Sequence, residues 1–184
     1  MNISSKIYHI ITFRLNRLRK KIKGSVFYFK ISLRYILPLG FEDSKFLRSP
    51  IDQLWNDRIN DVMLCPDNRL ITRHPDAGSV KNGKQIMHNG ISVTLGGYYG
   101  EPIAQMLYHN KGVHEPQEEY VFEEVLKTLS EGSTMIELGA YWSFYSIWFN
   151  KRIKSSKNFL VEPDKFNLLY GKNNFRINKA KGKF

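Results

Sequence analysis

The sequence predicts an α/β fold: the opening of a parallel sheet over residues 111–184, a turn-rich segment with a hairpin over 41–110, and a basic helical extension over 1–40. Three observations carry this prediction. Helical and strand patterns alternate as helix–β–α–β–α from His114 onward. Both predicted strands end in a carboxylate, Glu137 and Glu162, and a glycine turn follows the first. Charge is partitioned along the chain, which divides it into a basic beginning, an acidic middle and a basic end.

The extension carries nine Lys/Arg and no acid within residues 1–40. Ile3, Ile7, Ile10, Ile11, Phe13, Leu15, Leu18 and Ile22 recur at largely helical spacing, with Arg14, Arg17, Arg19, Lys20 and Lys21 between them. Such a helix can pack on the body of the protein or on a partner. It can also lie on an anionic membrane surface as a peripheral contact. The run Val26–Leu39 is interrupted by Lys30 and Arg34, then stopped by Pro38 and Gly40. No small-residue cleavage site follows a clean apolar stretch, so this is not a signal peptide.

Residues 41–110 are punctuated by turn signals: Ser49-Pro50, Cys65-Pro66-Asp67-Asn68, His74-Pro75-Asp76, Lys81-Asn82-Gly83 and Asn89-Gly90. Gln85–His88 and the alternating Ile91–Leu95 read as two short strands joined by a two-residue turn at Asn89-Gly90. Gly96-Gly97-Tyr98-Tyr99-Gly100 has neither the Walker lysine nor GxGxxG spacing, so it reads as a tight strand-to-helix turn, with Pro102 opening a helix through Leu107. His74, His88 and His109 lie on separate elements without i,i+4 pairing, which argues against a metal site.

From His114 a helix opens with Pro116 in its first turn, and Phe122, Val125, Leu126 and Leu129 form one apolar stripe toward a core. His114, Glu118 and Glu119 are expected to cap the helix or face solvent, the alternative being a place at the active-site rim. Thr134–Leu138 is a strand, Gly139-Ala140 a turn, and Phe144–Phe149 the start of an apolar helix. A second strand at Phe159–Glu162 precedes a helix from about Lys165 toward Asn178.

Composition limits the function classes. One cysteine, Cys65, excludes an intramolecular disulfide framework and fits a reducing compartment, the cytoplasm. No stretch approaches the roughly 20 apolar residues that span a bilayer. The formal charge of +11 suggests nucleic acid, but residues 41–150 carry nine basic against fifteen acidic residues. The excess sits at the two ends, and no aromatic–basic recognition module accompanies it, so no specific nucleic-acid partner is expected.

The chemistry lies at the strand ends. In open α/β sheets ligands bind beyond the C-terminal ends of the strands. Glu162 is placed to accept hydrogen bonds from two ribose hydroxyls, and Gly139 clears a path for the ligand. A dinucleotide would need GxGxxG for its pyrophosphate, whereas Tyr141 and Ser143 occupy the later positions here. S-adenosylmethionine has no pyrophosphate and tolerates them. Each acid also has a purely structural alternative: Glu137 as a strand-end acid bonded to backbone amides, Glu162 as part of the turn with Pro163.

The run Met135-Ile136-Glu137-Leu138-Gly139-Ala140-Tyr141-Trp142-Ser143-Phe144-Tyr145-Ser146, with Leu160-Val161-Glu162-Pro163-Asp164 and Asn173–Asn178, resembles the FkbM family of S-adenosylmethionine-dependent methyltransferases. That family usually shows an acid, then Gly-Ala-Asn-x-Gly-x-Tyr-Ser after the first strand, then Glu-Pro, then Asn-x-x-x-Asn. The resemblance implies a Rossmann-like, class I sheet and S-adenosyl-L-methionine as cofactor. It implies cofactor-binding roles for Glu137, Gly139, Ala140, Tyr141, Tyr145, Ser146 and Glu162, and matches Asn174 and Asn178 to the helix asparagines. Two positions depart from the pattern: Tyr141 replaces Asn and Ser143 replaces the second Gly. The implied reaction is O-methyl transfer to a small molecule or glycan, with no catalytic base nominated. The alternative is a non-catalytic, membrane-peripheral or interaction protein that works through residues 1–40. The match covers about residues 114–184 and stops where a third strand would begin. The expectation is therefore a truncated copy that binds the cofactor weakly.

Overall fold

The computed structural model describes residues 47–184, which combine helices with one antiparallel and one parallel sheet. The expected basic helix over 1–40 lies outside the described residues. The chain runs α1 (Gln53–Leu64), a 3-10 turn (Pro66–Leu70), β1 (Val80–Lys81), β2 (Lys84–Ile86), β3 (Ser92–Thr94), α2 (Glu101–His109), α3 (Pro116–Thr128), β4 (Thr134–Leu138), α4 (Phe144–Arg152), β5 (Lys157–Val161) and α5 (Lys165–Ile177). Among the described residues no helix is long and apolar enough to cross a membrane.

The hairpin segment forms a three-stranded antiparallel sheet in the order β1–β2–β3. Its two-residue turn is Asn82-Gly83, both at positive φ (53° and 68°), between the paired Lys81 and Lys84. Both central residues of a type I′ turn need that conformation. Asn89-Gly90 instead belongs to a three-residue loop, His88–Gly90, closed by Met87 N–H donating to Ile91 O (2.8 Å). Gly90 takes the left-handed position (φ 84°) that such loops require. The expected two-residue turn at Asn89-Gly90 is thus one residue longer.

β4 and β5 pair in parallel, with Glu137 opposite Leu160 and Leu138 opposite Val161. Lys183 then bonds along the free edge of β5, its N–H donating to Asn158 O (2.9 Å) and its carbonyl accepting from Leu160 N–H (2.8 Å). Met135, Asn158 and Leu160 point toward the helices, while Ile136, Leu138, Phe159 and Val161 alternate onto an exposed face.

One core serves both segments. Met87, Val93, Ile103 and Met106 from the first join Leu126, Phe144, Ile147, Phe149 and Phe175 from the second. α4 lies deepest, with Phe144, Ile147 and Phe149 essentially buried. α5 is tied to β3 by two asparagines. Asn174 Oδ1 accepts from the Thr94 N–H (2.9 Å) and hydroxyl (2.8 Å), and its Nδ2 donates to Trp142 O (2.9 Å). Asn178 Oδ1 accepts from Ser92 N–H (3.1 Å), and its Nδ2 donates to Ser92 O (2.6 Å). These side chains act as a strand edge, satisfying backbone groups that β3 would otherwise bury unpaired.

α3 corrects the expected stripe. Phe122 and Leu126 do face the core, but Val125 and Leu129 are exposed, and Glu119 is fully buried. The inward face is Glu119, Phe122 and Leu126, at i, i+3 and i+7, because buried histidines on neighbouring segments draw the carboxylate inward.

Candidate functional site

The turn after β4 is folded back onto the end of β5. Gly139 N–H and Ala140 N–H both donate to Val161 O, at 2.9 and 3.1 Å. Gly139 holds φ 75°, and a Cβ there would meet nothing within 4 Å, so one side of the turn is open. Tyr141 (φ 33°) and Ser143 (φ 62°) are also left-handed. These are the two positions where the resembled pattern carries Asn and Gly, the residue types that adopt this region at least cost. Tyr and Ser hold it here at a cost of about 1–2 kcal/mol per residue. Gly171 on α5 lets the helix pass against the turn, since a Cβ there would collide with Ser143 Oγ and with Tyr141 O.

Glu162 follows β5 directly and spans the same edge. Its Oε2 accepts from Tyr141 N–H (3.0 Å) and its Oε1 from Asp164 N–H (2.8 Å). Asp164 in turn caps α5, accepting from Phe166 and Asn167 N–H at 2.8 and 3.0 Å. Gly139, Tyr141 and Glu162 therefore meet at the C-terminal edge of the parallel pair. The other predicted residues go elsewhere. Ala140 is in the core. Glu137 lies within the protein, where burial pushes its carboxyl up to about 7 against the opposing pull of the Ser146 hydroxyl and N–H. Ser146 is thus a neighbour of Glu137 rather than an exposed group at the edge. The Tyr145 hydroxyl lies 3.4 Å from Glu115 Oε2 and 3.5 Å from Glu118 Oε2, both on the α3 side, and burial raises its pKa.

Aromatic rings join the glycine-rich loop to this edge. Tyr98 stacks on Trp142 at 4.5 Å between centroids and meets Tyr141 edge-on at 4.9 Å; Tyr99 lies 5.6 Å from Tyr141. The loop, read as a plain turn, also positions rings against the strand ends.

A second polar assembly escaped the sequence reading. His114 Nδ1–H donates to Glu119 Oε1 (2.5 Å), His114 Nε2 lies 3.1 Å from Glu115 Oε2, and His88 Nε2 lies 3.5 Å from Glu119 Oε2. His114 and Glu119 are buried, so the expected solvation of both is incorrect. Burial pulls the His114 pKa down, but the carboxylates on either side outweigh it and set it at about 9. His88 is shifted the other way: burial holds its pKa below the ordinary value, against the pull of Glu119. The His114 hydrogen bond keeps the Glu115 carboxyl below its usual range despite partial burial. The signal for Glu119 was its place three residues before Phe122 on the buried face. His88, on a distant hairpin loop, offered none.

His88 and Glu119 also line a cleft of about 910 Å³, together with Arg73, Asn89, Trp148 and Lys151 among others. None of the seven predicted cofactor residues lines it. Among the described residues no three His, Cys, Asp or Glu side chains are arranged to hold a metal ion. No family model, no curated protein and no solved structure matches the chain.

Proposed function

We propose that the chain is built on the cofactor-binding part of an S-adenosylmethionine-dependent methyltransferase with a Rossmann-like sheet, acting on a hydroxyl of a small molecule or glycan. The observation that carries this reading is the convergence of Gly139, Tyr141 and Glu162 at one edge of a parallel strand pair. The open side of Gly139 leaves room for a ligand. Each Glu162 oxygen takes one backbone N–H and keeps a lone pair that a ribose hydroxyl can use. The residues present fit the cofactor in this respect. When bound, the sulfonium supplies the methyl group.

Around that position the chain's own groups orient and shield. Tyr98, Tyr99 and Tyr141 form a ring surface beside the strand ends, suited to an adenine or to the acceptor. Glu115, backed by buried His114, brings a carboxylate beside the Tyr145 hydroxyl.

The test is titration of the chain with adenosylhomocysteine, read by calorimetry and by saturation-transfer NMR. Saturable binding that weakens about tenfold or more in Glu162→Ala is expected. Absence of saturable binding would overturn the cofactor reading, and equal affinity in the variant would overturn the ribose assignment.

A further inference from the structure

We propose that Asn82-Gly83, at the tip of the β1–β2 turn, is a self-modification site: Asn82 deamidates through a cyclic imide, and the isoaspartate so formed releases the loop that carries Tyr98. Water is the only co-reactant. The Gly83 backbone nitrogen attacks the Asn82 side-chain carbonyl carbon and forms a C–N bond. Ammonia leaves, taking the proton that this nitrogen gives up. Water then opens the imide ring. Opening at the side-chain carbonyl restores the ordinary backbone and leaves an aspartate. Opening at the main-chain carbonyl leaves an isoaspartate, with the chain running through one extra methylene.

The chain holds two Asn-Gly pairs, Asn82-Gly83 and Asn89-Gly90, and the fold treats them differently. In both, the following glycine has no Cβ to shield the attacking nitrogen. In the closed turn Asn82 is left-handed (φ 53°), and its main chain must rotate before the Gly83 nitrogen can face the side chain. The rate at each pair is therefore set by how readily its turn opens.

Asn82 is exposed, and its side chain makes no hydrogen bond among the described residues. The turn it occupies ends β1, a two-residue strand at the edge of its sheet. Opening it disturbs little of the fold. Asn89 is held from several sides. Its Oδ1 accepts from Ile91 N–H (3.2 Å), and its Nδ2 is shut off from solvent. The Gly90 N–H, the nucleophile there, donates to Met87 O (3.0 Å). His88 beside it donates its N–H to Gly112 O (3.0 Å) and accepts from His74 N–H (2.6 Å). Opening this loop breaks contacts with two other segments.

The consequence runs through Gly83. Its carbonyl accepts from Leu95 N–H (2.9 Å), and Leu95 leads through Gly96 and Gly97 to Tyr98. Tyr98 in turn packs its ring against Trp142 and Tyr141. An extra methylene at position 82 displaces the Gly83 carbonyl and breaks its bond with Leu95. An aspartate there keeps the backbone length and the bond. Neither the reaction nor its readout depends on the methyltransferase reading.

The experiment is incubation of the full chain at mildly alkaline pH, in native buffer and in guanidinium chloride, with timed peptide mapping by mass spectrometry. In native buffer Asn82 is expected to convert about tenfold or more faster than Asn89. In denaturant the two rates should agree within about threefold, because no fold then separates them. Equal native rates overturn the site, as does native Asn82 that stays intact while the denatured chain converts. A ratio that is the same with and without denaturant overturns the structural cause. Hydrogen exchange reads the consequence. Protection of the Leu95 amide should fall about tenfold in the isoaspartate fraction and change less than about twofold in Asn82→Asp. Unchanged protection in the isoaspartate fraction overturns the link to the loop.

Discussion

The C-terminal edge of the parallel strands and the buried His88–Glu119–His114 cluster both hold carboxylates, but they hold them by different means. At the edge, Glu162 is bonded to the N–H groups of Tyr141 and Asp164, donors that never titrate. In the cluster, one carboxylate is shared by two imidazoles, and the charge of each depends on its neighbours. Geometry alone fixes the first arrangement. The second is set jointly by burial and mutual attraction, so it responds to pH and to the loss of any member. The two histidines illustrate this: beside the same carboxylate, His114 is raised and His88 lowered.

Removing the shared carboxylate should break this contrast most severely. Glu119→Ala strips the His114 imidazolium of its closest partner in a buried setting and should cost about 3–5 kcal/mol in urea unfolding. NMR titration should show the His114 pKa falling well below about 9 in that variant. A loss below about 1 kcal/mol would mean that the cluster does not bear on folding. In the native chain the His114 contribution is complete below about 6.5, the ordinary histidine value, and disappears as pH rises through about 9. His88, with its folded pKa lowered, makes the protein less stable as pH falls below that ordinary value.

Glu137 sharpens the comparison because it is a strand-end acid that behaves like a cluster member. Its folded pKa of about 7 lies above the ordinary 4.5, so its stabilising contribution is full below 4.5 and lost as pH rises through 7. Glu137→Gln should therefore stabilise the protein by about 3 kcal/mol at pH 8 and change little at pH 4, as read from denaturant midpoints at both values. Equal midpoints at pH 8 would show that the buried carboxyl finds compensation elsewhere.

Smaller effects are expected at the exposed edge. Glu162→Ala loses two backbone hydrogen bonds at a partly solvated site and should cost about 1–2 kcal/mol in urea unfolding. Gly139→Ala should cost about 1 kcal/mol from its left-handed conformation alone, since a Cβ meets no neighbour. A much larger loss at Gly139 would mean that the open side of the turn closes in solution.

Legibility followed the length scale of the interactions. The strand Thr134–Leu138 and the helices after it were readable because apolar periodicity and capping residues such as Asp164 act over a few residues. The glycine turn and Glu162 were readable because each directly follows a strand. The Asn89-Gly90 loop was misjudged by one residue because hairpin length depends on the partner strand's register, which local composition does not specify. Tyr141 and Ser143 stood out as departures from a pattern. In the structure both take left-handed φ, and Gly171 on a later helix accommodates the turn.

The sequence by itself determined the alternation of helices and strands, the acids at the strand ends and the partition of charge, since these depend on residue type and short-range spacing. Tertiary structure alone decided that Asn174 and Asn178 would complete the edge of β3, about 80 residues earlier in the chain. It also decided that Glu119 would turn inward between His88 and His114. A carboxylate on an amphipathic helix ordinarily faces water, where its charge is solvated. His114, five residues earlier, supplies donors that make this burial tolerable, whereas the second imidazole, His88, comes from a distant hairpin loop that no local pattern records.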